Sequence, residues 1–369
     1  MKYIDEFRNK KAVKKIAQLL HRIAPRDREI NLMEVCGTHT NSFFRYGLNN
    51  LIPENVNLLS GPGCPVCVSH QDYIDKAIQY AKQDDVIIAT FGDMLRVPGA
   101  SSSLEQQRAE GADIRIVYSP MDAIDIALKH SDKKIIFLGV GFETTIPTVA
   151  LTITQAKKLK VKNFFVFCSH KLIPPAMKAL LNDRRLNLQG FICPGHVSTI
   201  IGSKPYQFVA KQFSTPCVIA GFEPLDMLEG IVMLLKQIAQ KRAGVEIQYS
   251  RVVRAQGNVE AQKIINQVFE IIDDSWRGLG VIPKSGLRMR KRFADFDAEK
   301  TMPIKLPVSK KMRTYKKCLC GEVLKGIIKP PQCPSFGKAC TPASALGPCM
   351  VSFEGACSVY YKFGSRRSF

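Results

Sequence analysis

From Ile30 onward, short apolar runs rich in Val, Ile, Leu and Phe alternate with stretches whose apolar residues recur at helical spacing. The runs are too continuous for a sheet with one wet face, so the alternation predicts an α/β fold of parallel sheets flanked by helices. Strands are expected near Ile30–Val35, Val56–Leu59, Val86–Thr90, Ile114–Tyr118 and Lys134–Leu138, with helices near 39–51, 70–82, 101–110 and 120–130. The pattern then repeats. Strands are expected near Asn163–Cys168, Gln189–Ile192 and Cys217–Ala220, and helices open at Pro174-Pro175 and Pro224, where a missing N–H costs nothing. Gly-Phe-Glu stands at Gly141-Phe142-Glu143 and again at Gly221-Phe222-Glu223, each time between a strand and a helix, which fits two related Rossmann-like lobes.

Before this region, residues 4–23 place Ile4, Phe7, Val13, Ile16, Leu20 and Ile23 on one helical face, stopped by Pro25. Beyond residue 245 one helical stretch, Glu260–Asp273, gives way to Pro, Gly and basic residues and then to a cysteine-rich tail. The expected division is an N-terminal helix (1–29) packing on the C-terminal domain, a first lobe (30–138), a second lobe (139–244) and a C-terminal domain (245–369).

With 369 residues the chain can bury full cores, so its twelve cysteines are not needed as cross-links. The N-terminus is charged throughout, and the strongest apolar runs, such as Lys134–Phe142 and Ile231–Leu235, are too short to cross a bilayer. A cytoplasmic chain using thiols as metal ligands or redox groups is therefore expected, with no membrane association. The net charge of +21 is concentrated between Lys284 and Lys317, where twelve Lys/Arg face three Asp/Glu. That segment reads as a solvated basic face or docking surface. Nucleic acid is not expected as a partner, because no binding motif for it accompanies the charge and there is a single Trp for stacking.

Half of the cysteines, Cys318, Cys320, Cys333, Cys340, Cys349 and Cys357, fall in the last 52 residues among Pro330-Pro331, Pro334, Gly337, Pro342, Gly347-Pro348 and Gly355. Turn-forming residues at this density suit loops wrapped around a metal centre, whose metal–thiolate bonds replace a hydrophobic core. Four thiolates can hold zinc or a 4Fe-4S cluster. The tail has no close Cys-x-x-Cys knuckle, which leans against a zinc ribbon.

Two more cysteine loops follow the first two strands. In Cys36-Gly37-Thr38-His39-Thr40 a cysteine sits where a strand meets a helix, the place where parallel sheets bind ligands. A helix N-terminus there would lower the thiol pKa and make Cys36 reactive, with His39 able to orient or deprotonate it. In Gly61-Pro62-Gly63-Cys64-Pro65-Val66-Cys67 the Cys-x-x-Cys reads as a dithiol/disulfide couple in preference to half a metal site. Glu143 can cap a helix, and His196, in Cys193-Pro194-Gly195-His196-Val197-Ser198, is either an interior histidine or a cleft residue. Cys168, Cys193 and Cys217 read as small buried hydrophobes.

Taken with Gly139-Val140-Gly141-Phe142-Glu143-Thr144-Thr145 and the tail pattern C-x14-C-x6-C-x16-C (Cys318, Cys333, Cys340, Cys357), these blocks resemble the HypD family from near residue 30 to residue 360. The resemblance implies a scaffold for NiFe hydrogenase maturation that works with the small chaperone HypC and with HypE, and through HypC with the hydrogenase large subunit. It implies that Cys318, Cys333, Cys340 and Cys357 hold a 4Fe-4S cluster, that Cys320 and Cys349 form a redox pair beside it, and that Cys36 binds the iron of an Fe(CN)2CO moiety. His39, Cys64, Cys67 and His196 complete the implied working set. The rival from another class is a stand-alone iron–sulfur-linked thiol–disulfide reductase.

Overall fold

The computed structural model describes residues 5–306 and 318–364. Of the basic segment, 307–317 lie outside the described residues. Along the chain run β1 (Ile30–Glu34), β2 (Val56–Ser60), β3 (Val86–Thr90), β4 (Ile114–Ile116), β5 (Lys134–Gly141), β6 (Phe164–His170), β7 (Gly190–Pro194), β8 (Cys217–Ala220), β9 (Val245–Ile247), β10 (Phe269–Trp276) and β11 (Gly280–Met289). Helices connect the strands through β9, and among the described residues no helix is long and apolar enough to cross a membrane.

Two all-parallel sheets result, one ordered β2-β1-β7-β8-β9 and the other β4-β3-β5-β6. The α/β class with two parallel-sheet lobes is as the sequence indicates. Their membership does not follow the chain, however: the second sheet is built wholly from residues between the two halves of the first. The expected boundary at 138/139 falls inside β5. Both sheets begin with a central strand, place the next strand on one side and the following ones on the other, so each has a switch point at its carboxyl end. These points lie between β1 and β7 and between β3 and β5. Gly-Phe-Glu follows the third strand of one sheet and the fourth of the other, so the repeated tripeptide does not mark equivalent positions.

The helical reading of Glu260–Asp273 holds only to Val268, where the helix Val259–Val268 ends and β10 begins. Residues 270–274 alternate half-buried and exposed, the period of a strand with one wetter face, and the strand pairs antiparallel with β11 through a bulge between Ile272 and Asp274. Gly278 and Gly280, at φ of 80° and 79°, let the chain turn between them. The helix Lys10–Ile23, capped by Asn9 accepting from the Ala12 N–H at 3.1 Å, packs chiefly on the helix Pro224–Ala239. The C-terminal residues Val359, Tyr360 and Phe363 join the same cluster from its edge.

One core runs through both sheets and beyond them. Met33 and Leu59 of the first sheet, Ile88, Ile136 and Leu138 of the second, Trp276 and Ile282 of the hairpin, and Val323 and Met350 of the C-terminal region belong to a single buried cluster. The Trp276 indole N–H donates to Ser285 Oγ at 2.8 Å, so the ring is buried with its polar edge satisfied.

Glu143 lies in this interior. Its Oε1 accepts from the Ile173 N–H at 3.0 Å and caps the helix Ile173–Leu181, while Oε2 has no hydrogen-bond partner among the described residues. Burial pushes its carboxyl up to about 7. A carboxyl raised in the fold contributes no penalty while protonated, and stability falls as pH rises from its unfolded value through about 7. Glu143→Gln is therefore expected to stabilise the chain at about pH 8 by up to roughly 3 kcal/mol and to do nothing at about pH 4. Urea unfolding at the two pH values checks this, and equal effects at both would refute it.

Candidate thiol and metal site

β1 delivers its chain to the first switch point, and Cys36 becomes the N-cap residue of the helix Gly37–Arg45. The neighbouring β2 ends at Ser60, and the loop after it leads to Cys64, the N-cap of the short helix Pro65–Val68. The two loops touch: the Gly37 N–H donates to Gly63 O at 3.0 Å, and a Cβ on Gly63 would stand 2.3 Å from the Cys36 nitrogen. Only glycine permits that approach.

The expected depression of the Cys36 thiol pKa is not found. Burial, with Glu354 and Glu34 alongside, pushes the thiol up to about 12, and the His39 and Thr38 backbone N–H groups pull it down by less. The dipole argument holds for an exposed helix end, whereas this one is 8% exposed and flanked by carboxylates. Glu34 is itself buried. Its Oε2 accepts from the Cys36 N–H at 2.8 Å, its Oε1 accepts from the Thr40 hydroxyl, and burial pushes it up to about 8.

His39, on the same helix, aims its Nε2 at the end of β8. Its Nε2 lies 3.1 Å and 3.0 Å from the carbonyl oxygens of Ala220 and Gly221, which fixes the proton there, and Nδ1 has no partner among the described residues. Burial holds the ring neutral, down to about 4. It therefore orients the loop but does not take the Cys36 proton in this arrangement. Phe222 stacks on His39 at 4.7 Å and on His196 at 4.0 Å, so the β7 loop with His196 and the β8 loop with Phe222 meet at the switch point beside the Cys36 helix.

The remaining expected residues converge from distant parts of the chain. Cys67 stands beside Cys64, whose sulfur accepts from the Cys67 N–H at 3.3 Å, and beside Cys349; Cys349 stands beside Cys320, and Cys320 beside Cys318. Five thiols thus form one line from the Cys-x-x-Cys helix to the C-terminal region, and all are free. Burial holds the Cys67 thiol protonated well above its ordinary range. Cys357 in turn lies in the field of Cys318, Cys320, Cys340 and Cys333, and the Leu346 N–H donates to Cys340 Sγ at 3.4 Å.

Four soft thiol donors on turn-rich loops, with Cys340 and Cys357 each lying in the field of Cys318 and Cys333, suit an iron–sulfur cluster by donor chemistry. Among the described residues no group of three or more His, Cys, Asp or Glu is disposed to hold a single metal ion.

Two contributors carry no sequence signal. The hairpin turn between β10 and β11 wedges between the thiol-bearing segments: the Arg277 N–H donates to Val68 O at 2.8 Å, and Gly278 packs on Gly321, next to Cys320. The Arg277 guanidinium faces Cys318 and Cys320 and pulls both thiols down, but Cys318 stays raised chiefly by Cys320, and Cys320, lowered by Cys318, stays raised by Cys349 and burial. Glu354 arrives from the C-terminal region onto the Cys36 helix, with the Thr38 hydroxyl donating to its Oε1 at 2.7 Å.

Cys193 and Cys217, on adjacent strands, are buried and within reach of each other, away from this line. Cys168 is only half-buried, its sulfur 3.3 Å from both His170 Nδ1 and Leu287 O.

The family described as "HypD: Hydrogenase formation hypA family" matches residues 11–364. The chain is 46% identical to the hydrogenase maturation factor HypD of Azotobacter vinelandii, across all of this chain and 98% of the relative. It is 45% identical to that of Escherichia coli K12, across the whole of both. A putative hydrogenase expression/formation protein of Methanocaldococcus jannaschii is 45% identical across 96% of each. With shared identity of this extent and its cysteine loops gathered as described, the chain belongs to the HypD family of hydrogenase maturation factors.

Proposed function

We propose that the chain is a cytoplasmic scaffold that assembles and carries an Fe(CN)2CO moiety for NiFe hydrogenase, together with HypC and HypE, and passes it through HypC toward the large subunit. The observation that carries this reading is the line of thiols from Cys64 to Cys318 beside the buried Cys36. Cys36 would bind the cargo iron, since a soft thiolate suits low-spin iron and metal binding displaces the proton that burial otherwise retains. His196 and His39 frame that position through Phe222.

Cyanide delivered as a protein thiocyanate needs two electrons. A thiocyanate R–SCN plus the Cys64/Cys67 dithiol gives R–SH, HCN and the Cys64–Cys67 disulfide, with the two thiol hydrogens passing to the two products. The neighbouring pair restores the dithiol: Cys349 attacks the Cys67 sulfur and releases Cys64, then Cys320 attacks the Cys349 sulfur and releases Cys67, leaving Cys320–Cys349 oxidised. A 4Fe-4S cluster held by Cys318, Cys333, Cys340 and Cys357 would supply one-electron reduction beside that disulfide.

Infrared spectroscopy of the anaerobic complex with HypC tests the reading, with cyanide and carbonyl stretching bands expected and their loss in Cys36→Ala. Normal maturation with both Cys64→Ala and Cys67→Ala in place would remove the dithiol from the account. The thiol line alone also fits a stand-alone thiol–disulfide reductase; turnover of a disulfide substrate without HypC or HypE, in a protein lacking those bands, would favour that alternative.

A further inference from the structure

The Cys36 backbone is held on two sides. On one stands Gly63, leading to Cys64; on the other stands the segment Ser352–Glu354, which lies between Cys349 of the thiol line and Cys357 of the tail. A Cβ on Gly37 would lie 2.5 Å from both Cβ and O of Glu354, so the segment presses directly on the start of the Cys36 helix. Three hydrogen bonds tie it there. The Thr38 hydroxyl donates to Glu354 Oε1 at 2.7 Å, the Asn41 amide donates to Phe353 O at 3.2 Å, and the Ser352 hydroxyl donates to Asp93 Oδ2 at 2.7 Å.

Asp93 follows β3 at the second sheet's switch point, while Thr38 and Asn41 follow β1 at the first. The segment therefore crosses from one switch point to the other. Ser352 is buried and also accepts from the Glu354 N–H at 3.3 Å, whereas Phe353 between them is 64% exposed. An exposed aromatic ring between two anchored residues contributes little to holding the segment down. Its grip comes from the polar bonds.

We propose that Ser352–Glu354 is a strap that positions and shuts in Cys36, with Asp93 as its latch on the opposite sheet. Its use depends on the reading of Cys36 as the working thiol, but the strap itself is measured without cargo or partners. Release of the strap opens the helix start and exposes the sulfur; closure holds it between Gly63 and Glu354. Because Gly355 packs against the Cys349 backbone, with a Cβ there 2.2 Å from Cys349 O, the strap is anchored directly on the thiol line.

The test is pulsed iodoacetamide labelling of the full-length reduced chain under anaerobic conditions, with Cys36 and Cys193 quantified by peptide mass spectrometry. Losing one such bond is expected to raise the Cys36 labelling rate about fivefold in Ser352→Ala and Asp93→Ala, with Cys193 unchanged. Thr38→Val, which removes the bond at the other end, gives the same result if either of those variants fails to fold. Phe353→Ala leaves the rate as it was. Unchanged Cys36 labelling in the latch variants, a rise in Cys193 in step with Cys36, or an equal rise in Phe353→Ala would each overturn the strap. Loss of the latch effect with infrared bands intact would leave the proposed function standing, and the reverse pattern would leave the strap standing.

Discussion

Cys349→Ala is expected to stop re-reduction of an oxidised Cys64–Cys67 pair by a reductant acting at the Cys318 end. Exchange requires one sulfur to attack another directly, and Cys349 is the sulfur in reach of both Cys67 and Cys320. Displacement of reacting groups by an ångström or more already costs on the order of a hundredfold, and removing the middle sulfur opens a larger gap. The rate should drop by at least that factor, while Cys193→Ala, off the line, leaves it unchanged. Anaerobic reduction followed by alkylation and intact-mass measurement reads the number of thiols regained over time. Re-reduction of Cys349→Ala at the parent rate would show that electrons reach Cys64 and Cys67 by another route.

Asp274→Ala is expected to give the largest loss of stability of any single polar replacement in the hairpin. Lys171 follows directly on β6 in the interior, 2% exposed, and its ammonium donates to Asp274 Oδ2 and to Ser275 O at 3.0 Å. Its own N–H donates to Gly141 O at 3.0 Å, so the second sheet and the hairpin are locked at one residue. Burial pulls the lysine below its ordinary range, and Asp274 holds it up. Removing the carboxylate leaves a buried unpaired cation, at a cost of about 3–5 kcal/mol. Adding Lys171→Met to Asp274→Ala should recover most of it, because a buried ion pair is often replaceable by apolar packing. Denaturant unfolding of the two single variants and the double variant checks the cycle. A loss below about 1 kcal/mol in Asp274→Ala would mean that water already serves the ammonium. The hairpin turn also supports the thiol line through Arg277 and Gly278, so the unfolding should be accompanied by faster labelling of Cys320.

Strands buried on both faces announce themselves in sequence, and β3, β5 and β8 stand where continuous apolar runs place them. β9 does not: it has three residues, all half-buried, at a sheet edge. The hairpin was hidden because Asp273, Asp274, Pro283 and Lys284 break up its alternation, and because its bulge falls at the acidic pair. The insertion of one sheet between the halves of the other was equally hidden, since a strand's local pattern says that it is buried without naming its neighbour.

In the site, cysteine type and spacing were enough to pick out the residues, but their grouping needed the fold. The sign of the Cys36 shift depended on burial and on Glu354, which belongs to another part of the chain and looks like an ordinary surface glutamate in sequence. Arg277 is likewise one basic residue among many until the turn brings it to Cys318 and Cys320.

The common interior that joins the two sheets, the hairpin and the C-terminal region sets how this molecule can move. Halves divided by a wet groove swing like the covers of a book; here such a swing would bare Met33, Ile136, Trp276 and their neighbours to water, at tens of calories per square ångström. Movement is then confined to short loops at the rim, and any ligand is met by a body that does not fold around it.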